Sequence, residues 1–144
     1  MKSDQKLLLN SSIEKAKAAI VLVKASLKRC KNLKLKKNLS PEELEPFDAL
    51  ISRFTRAVEV CIKCFRSIEM FEYGENSDTL RDLLNRMEKI SIVSSTALWI
   101  EIRDVRNRII HEYLPGKINS IYDDVTGKMS SELLRLNKNL SERK

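Results

Sequence analysis

Seven residues near the start of this 144-residue chain constrain its fold more than any other feature. Leu9, Ile13, Ala16, Ile20, Val23, Leu27 and Cys30 recur at alternating three- and four-residue steps. On an α-helix that spacing lays one continuous apolar seam along one face. It predicts a helix over about 5–31. A second seam, Phe47, Ile51, Phe54, Val58, Cys61, Phe65 and Ile68, predicts another that runs to about Phe71. Ser40-Pro41-Glu42-Glu43 supplies its start signal: a capping serine, a proline at the first helical position and a glutamate at the capping-box position. Pro46 falls in the first turns, so regular helix is expected to begin only there.

Glu72-Tyr73-Gly74-Glu75-Asn76 reads as a turn. Ser77-Asp78 is expected to open a short third helix with Leu80, Leu83, Leu84, Met87 and Ile90 inward. Ser94-Ser95-Thr96 caps a fourth, whose core face carries Leu98, Ile102, Val105 and Ile109, and which ends before Pro115-Gly116. Trp99, Ile100 and Ile110 fall outside that narrow arc and are assigned to a two-fold interface between copies of the chain. A fifth helix is expected over about 118–140, with Ile118, Tyr122, Val125, Met129, Leu133, Leu136 and Leu140 as its stripe and Gly127 as its weak point. The predicted fold is all-α, an antiparallel bundle of four or five helices in one domain over 1–144. Three glycines, three prolines and 33% charged residues suit long helices.

Several function classes drop out. Three cysteines, an odd number, argue against a secreted disulfide framework. Cys61-Ile62-Lys63-Cys64 is a lone C-x-x-C, and the single histidine belongs to another motif, so a zinc site lacks ligands. Cys61 fits the second seam and reads as a small buried side chain. Gly74, Gly116 and Gly127 are isolated, so no glycine-rich phosphate loop exists and no cofactor is expected. The start of the chain is polar and lacks a signal-peptide pattern. The longest aliphatic run, 18–23, is far short of the roughly 20 residues a membrane helix needs. The expected location is the cytoplasm. Net charge is +7, with Lys24, Lys28, Arg29, Lys31, Lys34, Lys36 and Lys37 free of intervening acids. Such a block attracts a nucleic-acid backbone or an acidic partner, or it is simply a solvated helix end.

Chemistry concentrates in Arg106-Asn107-Arg108-Ile109-Ile110-His111-Glu112-Tyr113, and His111 is the only histidine. Imidazole exchanges protons near neutrality. The planar guanidinium fork suits phosphate, and asparagine can steady either. Arg103 and Arg108 add cations to the same helix. The plainer reading makes His111 an ordinary polar residue near a helix C-terminus. At about 100° per residue, Arg106 and His111 lie about 140° apart. A working site therefore needs either a distorted helix end or a second copy of the chain.

The pattern R-N-x-x-x-H-x-Y, complete here, resembles the motif of HEPN-domain ribonucleases, in particular the HepT toxin branch. Upstream of about Ser77 the likeness is one of helix order and length. The resemblance implies a homodimer with the motif at its interface and metal-independent RNA cleavage by Arg106 and His111, with Asn107 supporting. It also implies a separate nucleotidyltransferase antitoxin, MntA, that transfers AMP to Tyr113. Packing is the other reading of Tyr113. The rival to the whole is a non-catalytic, substrate-binding accessory subunit of a small nucleotidyltransferase.

Overall fold

The computed structural model describes residues 2–33, 38–112 and 118–143. Among them every regular element is helical: α1 (Lys2–Cys30), α2 (Pro41–Tyr73), α3 (Leu80–Lys89), α4 (Thr96–Glu112), α5 (Ile118–Asp124), a π-helical turn (Val125–Met129) and α6 (Ser130–Glu142). The all-α bundle is thus the observed architecture. No helix among the described residues is long and apolar enough to cross a membrane.

α1 and α2 form the main pair. Lys6 lies over the Phe71 ring, Arg53 Nη1 donates to Ser26 Oγ at 2.9 Å, and Cys30 Sγ donates to the Pro46 carbonyl at 3.4 Å. These pairs advance along α1 as they retreat along α2, so the helices are antiparallel. Their seams meet as expected: Ile20, Val23, Phe54, Val58, Cys61, Phe65 and Ile68 are sealed from solvent. Each large apolar side chain so buried contributes about 1.5–3 kcal/mol relative to exposure. α6 packs against α1 from the other end of the sequence, and Leu133, Leu136 and Leu140 join the same core.

The capping box forms as read. Ser40 Oγ accepts from the Glu43 amide at 3.2 Å, and Glu43 Oε1 accepts from the Ser40 amide at 3.0 Å. The expectation for Pro46 is corrected: α2 begins at Pro41 and continues through Pro46. The amide that Pro46 lacks would bond the carbonyl of Glu42, an exposed residue of the first turn, where water can take its place. α2 ends on Gly74 in the left-handed region (φ 74°), whose amide bonds the Met70 carbonyl at 2.9 Å.

α3 starts later than Ser77-Asp78. Thr79 is its cap, accepting from the Asp82 amide at 3.1 Å. Ser77 is held elsewhere: its amide (2.9 Å) and hydroxyl both donate to the fully buried Glu69 of α2. Arg66 and Arg86 complete that nest. α3 closes in a Schellman turn, with the Ile92 amide on the Met87 carbonyl at 2.8 Å and Ser91 at φ 62° where glycine is usual. Ser95 then caps α4 by accepting from the Leu98 amide at 3.0 Å.

The single fifth helix is also corrected. Gly127 carries non-helical angles (φ −89°, ψ −127°), and a π turn kinks the run between α5 and α6. The kink lets α5 set Tyr122 edge-on to Phe47, 5.3 Å between centroids, while α6 turns Glu132 toward α4. The Pro115-Gly116 stop and the Ile118 side chain lie outside the described residues.

Candidate functional site

α4 is seated by Trp99. The indole is fully buried, edge-on to Phe65 of α2 (4.9 Å between centroids), and its Nε1 donates to Glu132 Oε2 of α6 at 2.7 Å. Trp99 is therefore core, and its assignment to an interface between copies is corrected. α4 packs against α2, α3 and α5, so it buries a wider arc than the one-neighbour seam assumed. Ile100 packs partly against the core, and Ile110 is 49% exposed.

Two turns beyond Trp99, the same side of α4 presents Arg106. Its Nη2 donates to Glu59 Oε1 of α2 at 2.6 Å, and its Nη1 donates to Asn107 Oδ1 at 2.9 Å. The Arg106 side chain is 26% exposed and that of Glu59 43%. The Nε is buried and has no acceptor among the described residues. Beside this pair lies a cleft of about 430 Å³, formed by Asp48, Ile51, Ser52, Thr55, Arg56 and Glu59 of α2 and by Ile109 of α4. Ile51 and Ile109 give it an apolar floor; the other walls are polar or charged. Sequence reasoning missed Glu59. Its only sequence signal is an acid directly after the seam residue Val58.

His111 is exposed in the last turn of α4. The helix stays regular from Thr96 to Glu112, so no distortion brings the imidazole round to Arg106. The fold joins Arg106 to Asn107 and leaves His111 on another side of the same helix. No hydrogen bond links Arg106 and His111 among the described residues.

The model of the family described as nucleotidyltransferase substrate binding protein like matches residues 12–142. The chain belongs to that family. No curated protein sequence matches it. The family match spans Glu59, Arg106, Asn107 and His111 together.

On this nucleotidyltransferase substrate-binding-like bundle the remaining cations are distributed as follows. Arg103 pairs with Asp104 at 2.9 Å, and Arg108 reaches Asp124 of α5 at 2.8 Å. Lys24, Lys28, Arg29 and Lys31 are exposed on the last turns of α1 and just past its end. That end meets α2 at Pro46, close to the cleft, so Lys24, Lys28, Arg29 and Lys31 lie toward the same end of the bundle as Ile109. Lys34, Lys36, Lys37 and Tyr113 lie outside the described residues.

Cys61 and Cys64 are buried free thiols. Burial pushes the Cys61 thiol far up, the nearby Cys64 adding to it. Burial raises Cys64 to about 11, against a Ser12 hydrogen bond and the Arg143 charge. Both stay protonated and packed; the seam implies this for Cys61, and the structure adds Cys64. No cluster of three metal-ligating side chains occurs among the described residues.

Proposed function

We propose that this bundle is a metal-independent endoribonuclease of the HEPN kind. The carrying observation is the complete R-N-x-x-x-H-x-Y pattern at the end of α4, with its guanidinium held beside a cleft by Asn107 and Glu59. In the proposed reaction a base takes the 2′-hydroxyl proton, and the oxygen attacks the adjacent phosphorus. The bond to the 5′-oxygen breaks, and that oxygen takes up a proton, leaving a cyclic phosphate. His111 serves as the base or the acid. Arg106 neutralises charge growing on the phosphoryl oxygens. A regular α4 holds the two apart, so the proposed site is composite: Arg106 of one protomer faces His111 of its partner across a two-fold axis. Exposed Lys24, Lys28, Arg29 and Lys31 at the same end of the bundle supply positive field for RNA. Arg103 and Arg108 exchange their surface carboxylates for phosphates at little cost.

By the same resemblance, the chain is the toxin of a two-component pair, silenced when a partner nucleotidyltransferase of the MntA kind places AMP on Tyr113. The adduct's negative phosphodiester would then compete with RNA for Arg106.

Purified protein is expected to cut RNA in the presence of a chelator and leave cyclic or 3′-phosphate ends. His111→Ala and Arg106→Ala are expected to lose most of that activity at unchanged helical content. Equal RNA degradation by wild type and His111→Ala would remove the reading. After incubation with a small nucleotidyltransferase and ATP, intact mass should show one added AMP on wild type and none on Tyr113→Phe. An adduct that survives Tyr113→Phe moves the acceptor elsewhere.

The family match favours a second reading, a non-catalytic accessory subunit of a nucleotidyltransferase. Stable association with such an enzyme, together with an RNA-inert wild type, is the outcome that selects it.

A further inference from the structure

Resting on the ribonuclease reading, we infer that Glu59 of α2 is a positioning residue: it aims the Arg106 guanidinium at the scissile phosphate. The ion pair crosses from one helix to another, with 2.6 Å between Arg106 Nη2 and Glu59 Oε1. Glu59 stands on a rigid base, since its chain neighbour Val58 and Cys61, two residues on, are both sealed in the core. Arg106 stands on α4 between Val105 and Ile109, both buried. The two backbones are therefore fixed, and the pair fixes the flexible part between them. A free arginine side chain carries about 2 kcal/mol of rotamer entropy that substrate binding would otherwise have to overcome.

The donor count fits this role. A guanidinium has five N–H groups. Asn107 takes one on Nη1 and Glu59 one on Nη2. Among the described residues one N–H remains on each Nη, and these can donate to phosphoryl oxygens. The buried Nε is left without an acceptor among the described residues. A head group free to choose its own plane would satisfy that donor, because leaving it unpaired costs about 1–3 kcal/mol. The plane is thus set by Glu59 and Asn107. The opposite role is an internal anion that competes with RNA for Arg106. It predicts effects of opposite sign.

The experiment measures kcat and KM on a short RNA, with chelator, for wild type, Glu59→Ala, Glu59→Gln and Arg106→Ala, alone and combined. Glu59→Ala is expected to lower kcat roughly ten- to a hundredfold, with KM changing less than about threefold. Glu59→Gln keeps an acceptor oxygen at the same reach and is expected to recover most of that loss. Glu59→Ala is expected to add nothing in the Arg106→Ala background. Side-chain nitrogen NMR gives a readout independent of turnover: the Arg106 Nη signals are separate in wild type and merge in Glu59→Ala. Unimpaired kcat in Glu59→Ala, or a lower KM with faster cleavage, overturns the inference while the ribonuclease reading stands. A further loss in the double variant does the same. An inactive wild type removes the ribonuclease reading, and this inference with it.

Discussion

Glu132 shows how one buried charge is kept ionised. Burial pushes its carboxyl upward, but hydrogen bonds from Arg135, the Ser94 amide, the Trp99 indole and the Ser94 hydroxyl outweigh it, and it titrates below the ordinary 4.5. Glu69 behaves alike: burial raises it, while the Ser77 hydroxyl and amide and the charges of Arg86 and Arg66 bring it lower. Both carboxyls are thus more acidic folded than unfolded. The stability they contribute is complete above pH 4.5 and is lost as pH falls through their lower folded values. Glu132→Gln leaves Ser94, Trp99 and Arg135 facing a neutral amide. We expect it to cost about 2–3 kcal/mol in urea unfolding at pH 7. The gap from wild type should narrow at pH 3, below the ordinary 4.5, where the unfolded carboxyl gains a proton before the folded one does. A gap of equal size at both pH values would mean that packing, and not charge, ties α6 to α4.

At the scale of elements, the seams of α1, α2 and α3 could be read from the sequence because each faces the core along one line. The 3–4 spacing of Ile20, Val23 or Phe65 leaves no other helical face for them. α4 was read too narrowly because it is wedged against several helices, so Trp99, off the line of Ile102 and Ile109, is core as well. The boundary at Ser77 was misplaced because a distant acid, Glu69, claims the serine that local chemistry offers as a cap. The same limit applies to the site. Arg106, Asn107 and His111 stand out as a local motif, whereas Glu59 is 47 residues from its partner, a separation that only the packing of α2 on α4 closes. Nothing in the spacing of Val125, Met129 and Leu133 announces the π turn, since four-residue steps also suit an α-helix.

For the whole molecule, the decisive question is whether one protomer holds a site. With Arg106 and His111 on different sides of a regular helix, the proposed site takes one residue from each of two protomers. Equal mixing of the inactive Arg106→Ala and His111→Ala proteins, with exchange of subunits, tests this directly. Half the dimers become mixed, and each mixed dimer keeps one intact pair, so activity should return to about a quarter of wild type. No recovery, with exchange verified by mass, would place both groups in one protomer.

The π turn also carries a consequence for length. It sets the rotational phase between two halves of one rod, so that Tyr122 faces Phe47 while Glu132 faces Trp99. A π turn holds one residue more than an α turn, so removing one between Val125 and Met129 would let the run close as ordinary α-helix with the phase beyond it nearly kept, whereas adding one would rotate everything beyond by about 100°. Glu132 would then swing off the indole, and the leucines of α6 would turn partly to water. The bundle therefore tolerates a residue lost from this turn far better than one gained.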